Sequence, residues 1–62
     1  MEYPFTRRVA VELVENGIAY VRDRNAPYHC HAVAESALPK PDEWAGMTES
    51  QYENAVLAAI YA

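Results

Sequence analysis

Apolar and polar residues alternate with different periods along this chain, and the period marks out four elements. Residues 5 to 16, "FTRRVAVELVEN", satisfy two patterns. Read at 3.6 residues per turn, Phe5, Val9 and Leu13 share one face with Ala10 and Val14 beside them. Arg8, Glu12 and Glu15 fall opposite, Arg8 and Glu12 form an i,i+4 pair, and Val11 is the misfit. Read at a period of two, Val9, Val11 and Leu13 alternate with Arg8, Ala10 and Glu12, and Asn16-Gly17 becomes a hairpin turn. Pro4 near the start and Gly17 as a left-handed C-cap favour the helix.

Residues 18 to 24, "IAYVRDR", have the pattern of a strand, and "RNAP" after them is a turn signal. Residues 28 to 35, "YHCHAVAE", return as a second strand. The competing reading is a helix from Pro27 to Leu38, favoured by the alanines and opposed by His and Tyr. "LPKPDEWAGM", at 38 to 47, reads as a loop with two prolines, a glycine and the single Trp. The last segment, "TESQYENAVLAAIYA", is the plainest helix. Thr48 is its N-cap, Gln51 completes a capping box and Glu49 suits the positive end of the dipole. Tyr52, Ala55, Val56, Ala59 and Ile60 form its apolar stripe. Leu57 and Tyr61 form a second, adjacent pair, expected to remain exposed and so to mark an interface.

The predicted fold is a small single-layer α+β domain in the order helix, β-hairpin, helix, with a three-helix all-α arrangement as the alternative. At 62 residues it is one domain. A domain of this size buries only about 60% of the surface that its unfolded chain exposes. One cysteine makes no internal disulfide, so stability falls to the core, to assembly or to a metal, and a lone thiol suits the cytoplasm. No run is long and apolar enough for a transmembrane helix, and "MEYPFTRR" does not have the pattern of a signal peptide.

"VELVENGIAYVRD" resembles the helix–glycine–strand segment of class I aminoacyl-tRNA synthetases specific for glutamate or glutamine. The resemblance covers about a fifth of the chain. It includes neither of that family's nucleotide-binding signatures. It supports a helix-to-strand reading and implies nothing about activity.

Charge narrows the function. Residues 1 to 34 hold four acids and four bases, whereas residues 35 to 62 hold five acids and one base, so the whole net charge of −4 lies in the second half. That argues against direct nucleic-acid binding, which needs a basic patch. An acidic face can instead dock on a basic surface of another protein, or simply keep the chain soluble.

"YHCH" is the segment with candidate chemistry. On a strand His29 and His31 share one face and Cys30 takes the other. Two imidazoles fall short of the four ligands of a structural zinc site, although a dimer would supply four. Neither histidine is placed to activate Cys30 as a nucleophile, and no nucleophile elbow or glycine-rich loop occurs, so no enzyme, catalytic residue or cofactor is expected. Cys30 is expected in the core, with the histidines turned to solvent or a neighbour.

These observations predict a protein-binding module that docks on a larger protein or complex with a basic surface and modulates or inhibits it, without membrane or nucleic acid. In size and charge it is similar to phage-encoded inhibitors such as anti-CRISPR proteins. Its expected contact residues are Glu43, Trp44, Glu49 and Glu53, since Trp and Tyr are enriched at interface hot spots. The alternatives are a structural or regulatory homodimer formed through Leu57 and Tyr61, and a metal-responsive protein using His29 and His31.

Overall fold

A computed structural model describes residues 3–26 and 30–62. Three strands, β1 (Val9–Glu15), β2 (Ile18–Asp23) and β3 (Cys30–Ala34), form an antiparallel meander with β2 in the centre. A 3-10 turn at Glu35–Ala37 and a four-residue helix α1 (Pro41–Trp44) lead to the twelve-residue helix α2 (Glu49–Ile60). The α+β expectation therefore holds, as do the strand at 18 to 23, a second strand reaching Ala34 and the C-terminal helix. The part of the "YHCH" segment at Tyr28 and His29 lies outside the described residues.

The first element is a strand and not the expected helix, and its register explains why its pattern misled. Val9, Ala10 and Val11 pair with Asp23, Arg22 and Val21, then Leu13, Val14 and Glu15 pair with Tyr20, Ala19 and Ile18. Glu12 is the extra residue, a β-bulge. Before the bulge Val9 and Val11 face inward. After it the phase reverses, so Val14 faces inward and Leu13 is 51% exposed. An inward set of 9, 11 and 14 breaks the period of two, so the alternation that marks a strand is lost, although Val11 also fails to fit a helical stripe. The hairpin closes through Asn16 and Gly17, both at positive φ (54° and 77°), as a two-residue type I′ turn requires. Gly17 thus ends no helix. The segment similar to the synthetases is a hairpin throughout.

Sheet register sorts the side chains into two faces. The inward rows are Val9 with Asp23, Val11 with Val21 and His31, and Val14 with Ala19 and Val33. The outward rows are Ala10, Arg22 and Cys30; Leu13, Tyr20 and Ala32; and Glu15, Ile18 and Ala34. Cys30 is therefore exposed and His31 looks inward, the reverse of the expectation. Because side chains alternate, a phase error of one residue reverses every assignment in a strand.

Helix α2 covers the inward face and contributes Tyr52 and Val56 to a core completed by Val9, Ala19, Val21 and Leu38. The Thr48 hydroxyl accepts from the Gln51 amide at 3.2 Å, and the Gln51 side chain accepts from the Thr48 amide at 3.0 Å, so the capping box is formed. Leu57 packs against this core, whereas Tyr61 is 52% exposed, so only one member of the expected exposed pair is exposed. The "LPKPDEWAGM" segment is not all loop. Pro41 opens the turn of α1, where a fixed φ and a missing N–H cost nothing, and the Glu43 carboxylate accepts from the Lys40 amide at 3.1 Å.

One charged residue is buried inside this apolar frame among the described residues. Asp23, 1% exposed, ends β2 on the inward face. Its Oδ1 accepts from Arg8 Nε at 3.0 Å and from the Asn25 amide at 3.0 Å. Its Oδ2 accepts from Arg8 Nη2 at 3.1 Å and from the Tyr61 hydroxyl. Arg8 and Tyr61 donating to it hold its carboxyl well below the usual carboxylate range, against a burial effect of opposite sign. The pair at Arg22 and Glu12, also 3.0 Å, is exposed on both sides and contributes less.

Replacing Asp23 with Ala removes the acceptor of a buried charged network and should destabilise the domain by about 2 kcal/mol. That corresponds to a melting temperature lower by roughly 10 °C for a domain of this size. The depressed value makes the stabilisation complete above the ordinary carboxylate value of 3.8, and it is lost as pH falls below that toward the folded value. Thermal melts of wild type and Asp23→Ala at several pH values should therefore converge in acid. Equal melting temperatures at neutral pH would refute the role of Asp23.

Candidate protein-docking cleft

The residues before β1 cross over the start of α2 and make a cleft there. Thr6 anchors the crossing. Its hydroxyl accepts from the amides of Arg8 and Val9 at 3.2 and 3.1 Å and donates to the carboxylate of Glu53 on α2. The Thr6 amide also donates to the Val9 carbonyl at 2.9 Å. These bonds bury Thr6 and leave its neighbour Phe5 73% exposed.

On the other side Trp44, at the end of α1, stacks at a tilt on Tyr3 with ring centroids 4.8 Å apart and meets Tyr52 edge-on at 6.1 Å. Between these groups lies a cleft of about 360 Å³, lined by Pro4, Phe5, Trp44, Met47, Glu49 and Tyr52, with Thr6 and Thr48 at its polar edge. A larger groove of about 500 Å³ is lined by Tyr3, Phe5, Val11, Leu13 and Val14, with Glu12 and Glu35.

The expected contact residues divide. Trp44 and Glu49 line the cleft, and Glu53 is linked to its wall through Thr6. Glu43 is exposed and caps α1. Leu57 and Tyr61 lie toward the far end of α2, where Leu57 packs on the core and the Tyr61 ring stands edge-on to His31 at 4.9 Å. Phe5, the most exposed large apolar side chain among the described residues, is not on the expected list, because the helical reading of residues 5 to 16 puts it on the buried stripe.

Electrostatics sets the cleft apart from the rest of the molecule. Both described ion pairs lie in the first half, Arg8 with Asp23 and Arg22 with Glu12. Three of the five acids of the second half receive neutral donors: Glu35 the Tyr3 hydroxyl at 2.7 Å, Glu43 a backbone amide and Glu53 the Thr6 hydroxyl. Neutral donors leave the carboxylate charge in place. The uneven charge of the sequence thus survives folding on the side of α1 and α2.

Burial, reinforced by Glu35, pushes the Tyr3 hydroxyl up to about 12, and burial also raises Tyr52. Tyr52 is 3% exposed and its hydroxyl has no hydrogen-bond partner among the described residues. The same holds for His31 Nε2.

Metal and nucleophile chemistry find no constellation here. Among the described residues no group of three His, Cys, Asp or Glu comes together, and Cys30 and His31 are on opposite faces of β3. His29 lies outside the described residues. Among the described residues no helix is long and apolar enough to cross a membrane. Comparisons with protein-family models, curated proteins and solved structures find no match.

Two outcomes follow from the tyrosines. Tyr52→Phe deletes an unpaired buried hydroxyl and should leave stability unchanged or raise it by about 1 kcal/mol, read by urea unfolding. A clear loss would mean that the hydroxyl has a partner. Tyr3, raised from 10.0 to about 12, stabilises the fold fully below pH 10 and ceases to do so as pH passes 12. Tyr3→Phe should therefore flatten the alkaline limb of the stability curve, and an unchanged limb would contradict this.

Proposed function

We propose that this chain is a protein-binding module that docks on a basic surface of a larger partner and modulates or inhibits it. The observation that supports this reading most is the placement of the acids that make no ion pair among the described residues. Glu43, Glu49 and Glu53 lie on the α1 and α2 side, next to an aromatic cleft, while the arginines with described ion pairs are taken up elsewhere. Charge arranged this way steers encounter and fixes orientation, and an aromatic centre supplies contact area that an acidic rim alone lacks. Small size and one-sided acidity, shared with phage-encoded inhibitors such as anti-CRISPR proteins, support the modulating role.

A second reading, a homodimer, is supported by a different surface from the one expected. Leu13 and Ile18 are 51% and 37% exposed on the uncovered sheet face, with Tyr20, Ala32 and Ala34 as their cross-strand partners. Self-assembly predicts a melting temperature that rises with protein concentration.

The decisive comparison is affinity capture by the wild type and by the triple variant E43Q/E49Q/E53Q, at low and moderate salt. Glutamine keeps an acceptor for the Lys40 amide and the Thr6 hydroxyl, so the fold is preserved while three charges are removed. The expected result is a stoichiometric partner that the wild type releases as salt rises and that the triple variant binds at least about tenfold more weakly with a reduced salt dependence. Equal capture by both proteins would end the acidic docking reading.

A further inference from the structure

We infer that the cleft between Phe5 and Trp44 receives an arginine side chain of the partner. This inference rests on the docking reading and names the chemistry that it would recognise. The cleft has three properties of a guanidinium site. Phe5, Trp44 and Tyr52 line it, and a planar, weakly hydrated guanidinium stacks on aromatic faces better than an ammonium does. Glu49 lines it as well, and Glu53 is one hydrogen bond away through Thr6, so the local charge is negative. No Lys, Arg or His is among the lining residues. A volume of about 360 Å³ is at the small end of ligand pockets, a scale that suits one long side chain and a little flanking backbone.

The position at the start of α2 does not make it an anion site. A helix N-terminus attracts anions through free amides. Here the Thr48 hydroxyl occupies the Gln51 amide, the Gln51 side chain occupies the Thr48 amide, and the Glu49 carboxylate sits in the first turn. The anion's place is taken by the protein's own acid, and that acid remains available to a cation.

The test uses the whole chain, labelled with nitrogen-15. It is titrated with the capped tripeptides glycyl-arginyl-glycine, glycyl-glutamyl-glycine and glycyl-norleucyl-glycine. Trp44 is the single tryptophan, so its indole N–H is one resolved signal. The arginine peptide should shift that signal and the Thr48 and Glu49 amides saturably, and neither control should. Phe5 is exposed, so Phe5→Ala keeps the fold, and it should weaken arginine binding about threefold. Glu49→Gln should weaken it by a similar factor.

No saturable shift with arginine, or equal shifts with glutamate or norleucine, would overturn the inference. So would shifts that appear without peptide as protein concentration rises, since the occupant would then be a second copy of the chain. The two proposals fail separately. Partner capture that drops in the triple glutamine variant but not in Phe5→Ala would leave acidic docking standing and remove the arginine cleft. Arginine binding without a charge-dependent partner would do the reverse.

Discussion

The interaction on which the rest of the structure depends is the fourfold acceptance of hydrogen bonds by Asp23. Its donors come from Arg8 before β1, from the turn after β2 and from Tyr61 just past α2. One carboxylate thus ties the open end of the hairpin to the end of the helix that covers it. A three-stranded sheet with one helix has few ways to hold that helix in place. Hydrophobic contact is not directional, so Val56 and Tyr52 can bury themselves in several orientations of α2. A hydrogen bond from Tyr61 into a buried, charged acceptor discriminates among them, because a shifted helix would leave that charge with a lost partner.

The same carboxylate accounts for an arrangement that composition does not suggest. Arg8 lies on an edge strand's approach, where a base would ordinarily be a solubility device. Its guanidinium is half-exposed and bidentate on Asp23, so it reaches from the surface to satisfy a buried group. Just before β1 and just after β2, the Arg24 amide donates to the Arg8 carbonyl at 2.6 Å, and the ladder therefore continues past the point where Asp23 enters the interior. Thr6 then redirects the chain over α2. The cleft walls follow from this path. Phe5 is exposed because Thr6, next to it, is committed to Glu53 and to the amides of Arg8 and Val9.

How much of this was legible in the sequence depended on whether local chemistry and periodicity agreed. At α2 they agreed: Thr48, Gln51, Tyr52 and Val56 gave cap, box and stripe, and all are found as read. At residues 9 to 15 they conflicted. Asn16-Gly17 signalled a hairpin, yet the bulge at Glu12 shifted the inward positions to 9, 11 and 14 and erased the alternation. The turn dipeptide was the better witness, because it reports φ at two residues, whereas periodicity presumes an unbroken ladder. In β3 the period of two was right and the phase was wrong. A cysteine is a small apolar residue by habit, but Val21 and Ala19 of the central strand face His31 and Val33, and Cys30 follows Arg22 outward.

The candidate cleft was half legible for a related reason. Trp44 and Glu49 could be named because aromatic and acidic residues near a helix start are visible without a fold. Phe5 could not be, since its exposure follows from the crossing of residues 4 to 6 over α2, a tertiary fact. The distribution of charge lies between these cases. Counting acids and bases by halves locates the negative charge in sequence, but a count does not say which acids are neutralised. Folding decides that by assigning guanidinium hydrogen-bond partners to Asp23 and Glu12 and hydroxyl or amide donors to Glu35, Glu43 and Glu53, with Arg8 acting on Glu53 through charge alone. An acid held by a neutral donor is oriented without being discharged. Glu43 and Glu53 therefore serve the fold as cap and strut while keeping their charge for whatever approaches the face of α1 and α2, so stability and an acidic surface impose no conflict on the same side chains.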